Sequence, residues 1–158
     1  MNRVLIACFA LVCLIGCGSV AAQETPFAAL QKWAGKLPFD TIDGKTLWEQ
    51  PIFQAASKKA MGDDYYEMVF NELSKGVTST IRQKNDVMLV SVCKEHACPD
   101  NYANIFINIK KSVVNVCWHL ASEGGDKWFS STQKATDIPK NACGAVDEFT
   151  IYNTFAKE

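Results

Sequence analysis

The chain has 158 residues, with 16 Lys and Arg against 17 Asp and Glu, and a formal net charge of −1. Removing an exported leader that carries Arg3 leaves the remainder mildly acidic, which excludes a general nucleic-acid binder and its basic excess. A chain of this length buries a core without needing cross-links to hold it up.

The first residues read as an export signal. Met1-Asn2-Arg3 supplies a short positive start, and Val4–Gly16 follows as an apolar run too short for a comfortable transmembrane helix. Two exits compete. Val20-Ala21-Ala22 before Gln23 is a small-residue cleavage site, giving a signal peptide over 1–22. Leu14–Cys17 also matches a bacterial lipobox, which would remove 1–16 and leave a lipidated Cys17. Both predict a periplasmic protein that meets a membrane only through a lipid anchor. Cys8 and Cys13 leave with the signal, and Cys93, Cys98, Cys117 and Cys143 remain. Four cysteines in an oxidising compartment imply disulfides, with three pairings open.

No repeat, linker or low-complexity tract interrupts 23–158, so one domain is expected there. Phe27, Leu30 and Trp33 mark a short amphipathic helix before Gly35 and Pro38. A second helix starts at Pro51 and stops at Gly62. In the third, Tyr66, Val69, Phe70 and Leu73 follow helical spacing, Asp64 and Glu67 have capping-box spacing, and Gly76 closes it. After Gly76 the period changes to two. Residues 77–83 and 86–93 read as strands around a turn at Lys84-Asn85-Asp86, and 104–109 and 112–120 as a hairpin around Lys110-Lys111. Val114, Val116, Trp118 and Leu120 face one way, and Val113, Asn115, Cys117 and His119 the other. Glu123-Gly124-Gly125-Asp126 reads as a turn, 127–133 as a strand, and 144–158 as a last helix. Helices first and antiparallel strands after them make an α+β fold: a meander flanked by short amphipathic helices.

The segment Cys93-Lys94-Glu95-His96-Ala97-Cys98 holds one of the chain's 2 histidines. It lacks the C-x-x-C-H of haem attachment and the C-x-x-C of a thioredoxin site. Zinc would need a fourth ligand from Cys117, His119 or Cys143, and exported thiols oxidise first. No nucleophile–base set accompanies His96, so neither a catalytic site, a metal site nor a cofactor is expected. If Cys93 and Cys98 pair, they pinch a loop at its neck, and Cys117 and Cys143 are left as the second pair. So short a ring contributes little chain entropy but holds a loop in one shape. A plain stapled surface hairpin is the alternative. His119, mid-strand beside Cys117 and Asn115, reads as a partly buried, hydrogen-bonded structural histidine.

An exported α+β domain with a C-K-x-H-x-C loop resembles the Ivy family, the periplasmic inhibitors of vertebrate lysozyme. The match falls on Cys93, Lys94, His96 and Cys98, with a patterned likeness from Trp48 to Trp128. The β-barrel inhibitors with a Ser-Gly-Ser-Gly segment are not matched. The resemblance implies no enzyme but an enzyme inhibitor: the disulfide-closed loop enters the cleft of a c-type lysozyme and sets His96 against its two carboxylic residues. Lys94 would then sit at the rim. The family loop reads C-K-P-H-D-C, so here Glu95 replaces a proline and Ala97 an aspartate. Those departures keep a second target open, the cell's own lytic transglycosylases. A structural or adaptor lipoprotein of the envelope is a third reading, and the sequence leaves homodimer formation open.

Overall fold

The computed structural model describes residues 25–132, 135–144 and 147–156. The leader over 1–22 and Cys17 lie outside them. The chain enters through a 3₁₀ helix over Ala28–Trp33 that buries Leu30 and Trp33. The expected amphipathic helix is thus present as the tighter form, for which a three-residue apolar spacing is the natural period. Helix α1 (Pro51–Met61) begins on Pro51, whose missing N–H is no loss in a first turn. Helix α2 (Asp63–Leu73) follows after Gly62 alone. Gly62 has φ 77° and ψ 160°, a region open essentially to glycine, so one residue ends one helix and starts the next. The capping box does not form. Gly62 is the N-cap, Asp64 falls inside the first turn, and no side chain caps the helix. Asp63 and Asp64 instead put negative charge at the helix's positive end.

Seven antiparallel strands follow: β1 (Val77–Thr78), β2 (Arg82–Lys84), β3 (Val87–Cys93), β4 (Asn101–Asn108), β5 (Val113–Leu120), β6 (Gly125–Ser130) and β7 (Thr136–Ile138). They form one sheet in the order β1-β3-β4-β5-β6-β7, with β2 also on β3. The run expected as one strand over 77–83 is split because Ile81 leaves the sheet. Its N–H donates to Lys36 O at 2.7 Å, and its carbonyl accepts from Gly35 N at 2.8 Å. The expected Glu123–Asp126 turn is shorter than the sequence suggests. Gly124 turns the chain at φ 77°, while Gly125 and Asp126 already belong to β6, opposite Leu120 and His119.

Both faces of the sheet are covered. Met88, Val90, Val114, Val116 and Trp118 share a core with Trp33, Phe53, Val69 and Leu73 on the α1–α2 side. Leu89, Phe106, Cys117 and Trp128 face a second core closed by helix α3 (Glu148–Phe155), which adds Phe149, Ile151 and Tyr152. Each such side chain, fully buried, contributes about 1.5–3 kcal/mol. Asp147 caps α3 through the Phe149 N–H, and the Thr150 hydroxyl bound to it holds its carboxyl below the usual carboxylate value. At the far end of β4, Thr25 Oγ1 donates to Ile109 O at 2.8 Å, so the entering chain is tied to the sheet end opposite the β3–β4 connection. Among the described residues no helix is long and apolar enough to cross a membrane.

Candidate functional site

The β3–β4 connection is the stapled segment. The ladder runs down to Cys93 opposite Tyr102 and adds one more bond, from Lys94 N to Asn101 O at 2.9 Å. A disulfide joins Cys93 to Cys98 there, with their Cα atoms 4.8 Å apart. Within the ring, Ala97 N donates to Lys94 O at 3.0 Å, which makes residues 94–97 a hydrogen-bonded β-turn. His96, third in that turn, has φ 62°, whereas Glu95 is not among the positive-φ residues. That is the type II pattern, whose third position favours glycine or asparagine. Histidine is one of the few other residues enriched at positive φ. The Ala97 carbonyl then accepts from both Asp100 N and Asn101 N. One backbone bond thus closes the turn and three more, to Asp100 and Asn101, fasten it to the start of β4, while the Glu95 and His96 side chains stand in solvent.

His96 carries its imidazole 90 % exposed, and Glu95 its carboxylate 68 % exposed, with Nε2 and Oε1 3.6 Å apart. Ala97 adds no polar group. Lys94 turns back to the body: its Nζ lies 3.1 Å from Glu72 Oε2 on α2. The same oxygen accepts from Asn101 Nδ2 at 2.9 Å, and Asn101 Oδ1 accepts from the buried Trp118 Nε1 at 3.1 Å. Two hollows flank the loop's base. One, of about 400 Å³, is lined by Cys93, Cys98, Tyr102, Cys143 and Glu148 on the α3 side. The other, of about 490 Å³, lies on the α2 side between Met68, Glu72, Lys94, Asp100 and Leu120.

His119 is in every respect the opposite. It is 4 % exposed, stacks on Tyr102 with ring centres 4.7 Å apart, and sets Nδ1 2.6 Å from Asp126 Oδ1. The other oxygen of Asp126 accepts from Cys143 N at 2.6 Å. Burial, and then the Asp126 charge, pushes the Tyr102 hydroxyl up to about 12. A disulfide joins Cys117 to Cys143 across 5.5 Å between Cα atoms, linking β5 to the short 3₁₀ turn Ala142–Gly144. All four cysteines therefore lack the free thiolates that a zinc site would use.

The residues singled out in the sequence, Cys93 to Cys98, thus form one continuous loop, exposed at Lys94, Glu95 and His96 and half-buried at Cys93, Ala97 and Cys98. Glu72, Asn101 and Asp126 were not singled out. Asn101 stands two residues before Ala103 at the strand's start, and its alternation with the buried residues was the one available hint; Glu72 and Asp126 reach their partners only through the fold.

The family model "Inhibitor of vertebrate lysozyme (Ivy)" matches residues 52–150, from α1 into α3. No curated protein and no solved structure matches the chain. The match takes in the whole sheet and the stapled loop and covers well over half of the chain, so this protein belongs to the Ivy family, the inhibitors of vertebrate lysozyme.

Proposed function

We propose that the protein is a periplasmic inhibitor of c-type lysozyme that plugs the enzyme's active-site cleft with the Cys93–Cys98 loop. The observation that carries this reading is the presentation of His96: an imidazole 90 % exposed in a hydrogen-bonded turn inside a disulfide-closed ring. A lysozyme cleft holds two carboxylic residues, one of them an acid with a raised pKa. An imidazole brought between them gains a proton where carboxylates surround it, and the charge-assisted hydrogen bonds that follow are the strong kind. The enzyme's acid then has no proton to give to a glycosidic oxygen, and the sugar has no room. A ring already in its bound shape leaves little ordering to be done on binding. In this reading residues 23–158 act as one exported domain, with or without a lipid on Cys17.

A cell-wall lysis assay with purified protein and c-type lysozyme tests it. Lysis should stop at stoichiometric protein, and undiminished lysis at saturation would sink the reading. His96→Asn keeps a residue that tolerates positive φ but removes the basic nitrogen. It should weaken inhibition about 30- to 100-fold, as for a residue at the centre of an interface. Unchanged potency would remove His96 from the mechanism.

Glu95 favours one second reading. Its exposed carboxylate 3.6 Å from His96 Nε2 repels an enzyme's acidic pair unless it meets cations beside the cleft. A lytic transglycosylase, which works with a single acidic residue, is the better target if parallel titrations show it inhibited and lysozyme untouched.

A further inference from the structure

The disulfide fixes the ring's internal shape but not the direction in which it points. Besides the pairing of Cys93 with Val77 and Tyr102 and the Lys94–Asn101 backbone bond, polar links tie the loop to the body from both sides. On one side Ala121 N donates to Asp100 O at 2.8 Å. On the other, Glu72 Oε2 receives Lys94 Nζ and Asn101 Nδ2 together. Lys94 and Asn101 are the residues on either side of the neck, so one carboxylate oxygen holds both legs of the loop.

What stands behind Glu72 is rigid. It sits on the last turn of α2, whose Val69 and Leu73 are buried in the core. Asn101 is anchored from its other end by the indole N–H of buried Trp118, which packs edge-on to Tyr65 of α2 with ring centres 6.1 Å apart. The helix and β5 therefore grip the neck from two directions through short polar links. Lys94 makes this contact through its ammonium, with both side chains of the pair half-exposed.

We propose that Glu72 is the positioning residue of the inhibitory loop: by holding Lys94 and Asn101 on one oxygen it sets the angle at which His96 is presented. The proposal rests on the loop being the inhibitory element. It does not make Glu72 a contact with the target. Its effect on affinity is that of preorganisation: a loop free to swing must be ordered when the enzyme binds.

The test compares the full protein with Glu72→Ala, Glu72→Gln and Lys94→Met, and the pair Glu72→Ala with Lys94→Met. Two readouts are taken, backbone ¹⁵N order parameters of residues 94–97 in the free protein and inhibition of lysozyme. In Glu72→Ala the order parameters should fall toward about 0.6. Inhibition should weaken about tenfold while the melting temperature holds, a combination that mere loss of stability would not produce. Glu72→Gln, which keeps an oxygen acceptor, should recover part of both. The double variant should be no weaker than Glu72→Ala alone, since removing Glu72 already cuts the Lys94 link along with the Asn101 one. An unchanged loop in Glu72→Ala overturns the proposal, as does a loosened loop with undiminished inhibition. If the native protein fails to inhibit, the reading of the loop falls instead, while the order parameters, which need no enzyme, still decide whether Glu72 is the clamp.

Discussion

His96 stands 90 % exposed inside the ring closed by Cys93 and Cys98. His119 is 4 % exposed and bonded to Asp126, which also holds the backbone of Cys143 in the other bridge. Each histidine is thus coupled to one disulfide, and the two pairs do opposite work. The buried pair joins strand to turn, and one carboxylate, Asp126, holds both His119 Nδ1 and the Cys143 N–H. The exposed pair leaves its imidazole without a strong partner, with only the Glu95 carboxylate 3.6 Å away. The same residue type serves stability in one place and presentation in the other, and solvent exposure together with partner count decides which.

The comparison breaks first at Asp126. Asp126→Ala leaves His119 and the Cys143 N–H without their acceptor in a buried site, which costs about 3–5 kcal/mol. Urea denaturation should show that loss, while the folded fraction still inhibits at native potency; a stable variant would mean that the His119–Asp126 pair is not a structural element. The bridges come next. Opening a ring of sequence separation 26, by Cys117→Ala with Cys143→Ala, should cost about 3.5 kcal/mol in the chain-entropy account. The ring of separation 5, opened by Cys93→Ala with Cys98→Ala, should cost about 2 kcal/mol by the same relation and appear chiefly as lost inhibition. If the second pair of changes proves the more damaging to stability, the division of labour between the bridges is wrong.

The smallest expected effect is a gain. Glu95 is second in a type II turn, the position that suits proline, and the family's loop has proline there. Glu95→Pro removes unfolded-state freedom worth about 0.4–1 kcal/mol of stability. Fixing φ also removes freedom that the folded loop keeps before binding, so inhibition should tighten, by no more than roughly two- to fivefold. Glu95→Gln, measured beside it, separates the fixed φ from the lost charge. Inhibition constants no tighter than native for Glu95→Pro would show that the loop is already as ordered as binding requires.

Most of this arrangement was legible in local pattern. Alternation over 112–120 sorts Val114, Val116 and Trp118 from Cys117 and His119, and the structure keeps those two faces apart in separate cores. Helical spacing gives α2, and the stapled turn follows from its two cysteines. What stayed hidden is long-range. The split after Thr78 depends on Ile81 pairing with Gly35 and Lys36, far back in the chain. Asp126 reads as a turn residue because it follows two glycines, and only the register with His119 turns it into a buried acceptor. Glu72 reads as one more solvated charge on a helix, since nothing local reveals Lys94 and Asn101 beside it. β7 is brief and half exposed, too short for a period to show.

The tie between Thr25 and Ile109 gives the molecule a handle and a tip. Strand β4 alone, 8 residues long, separates that tie from the neck of the loop by about 26 Å. The described chain therefore enters at the end remote from His96. The His96 imidazole and the entering chain thus lie at opposite ends of one strand.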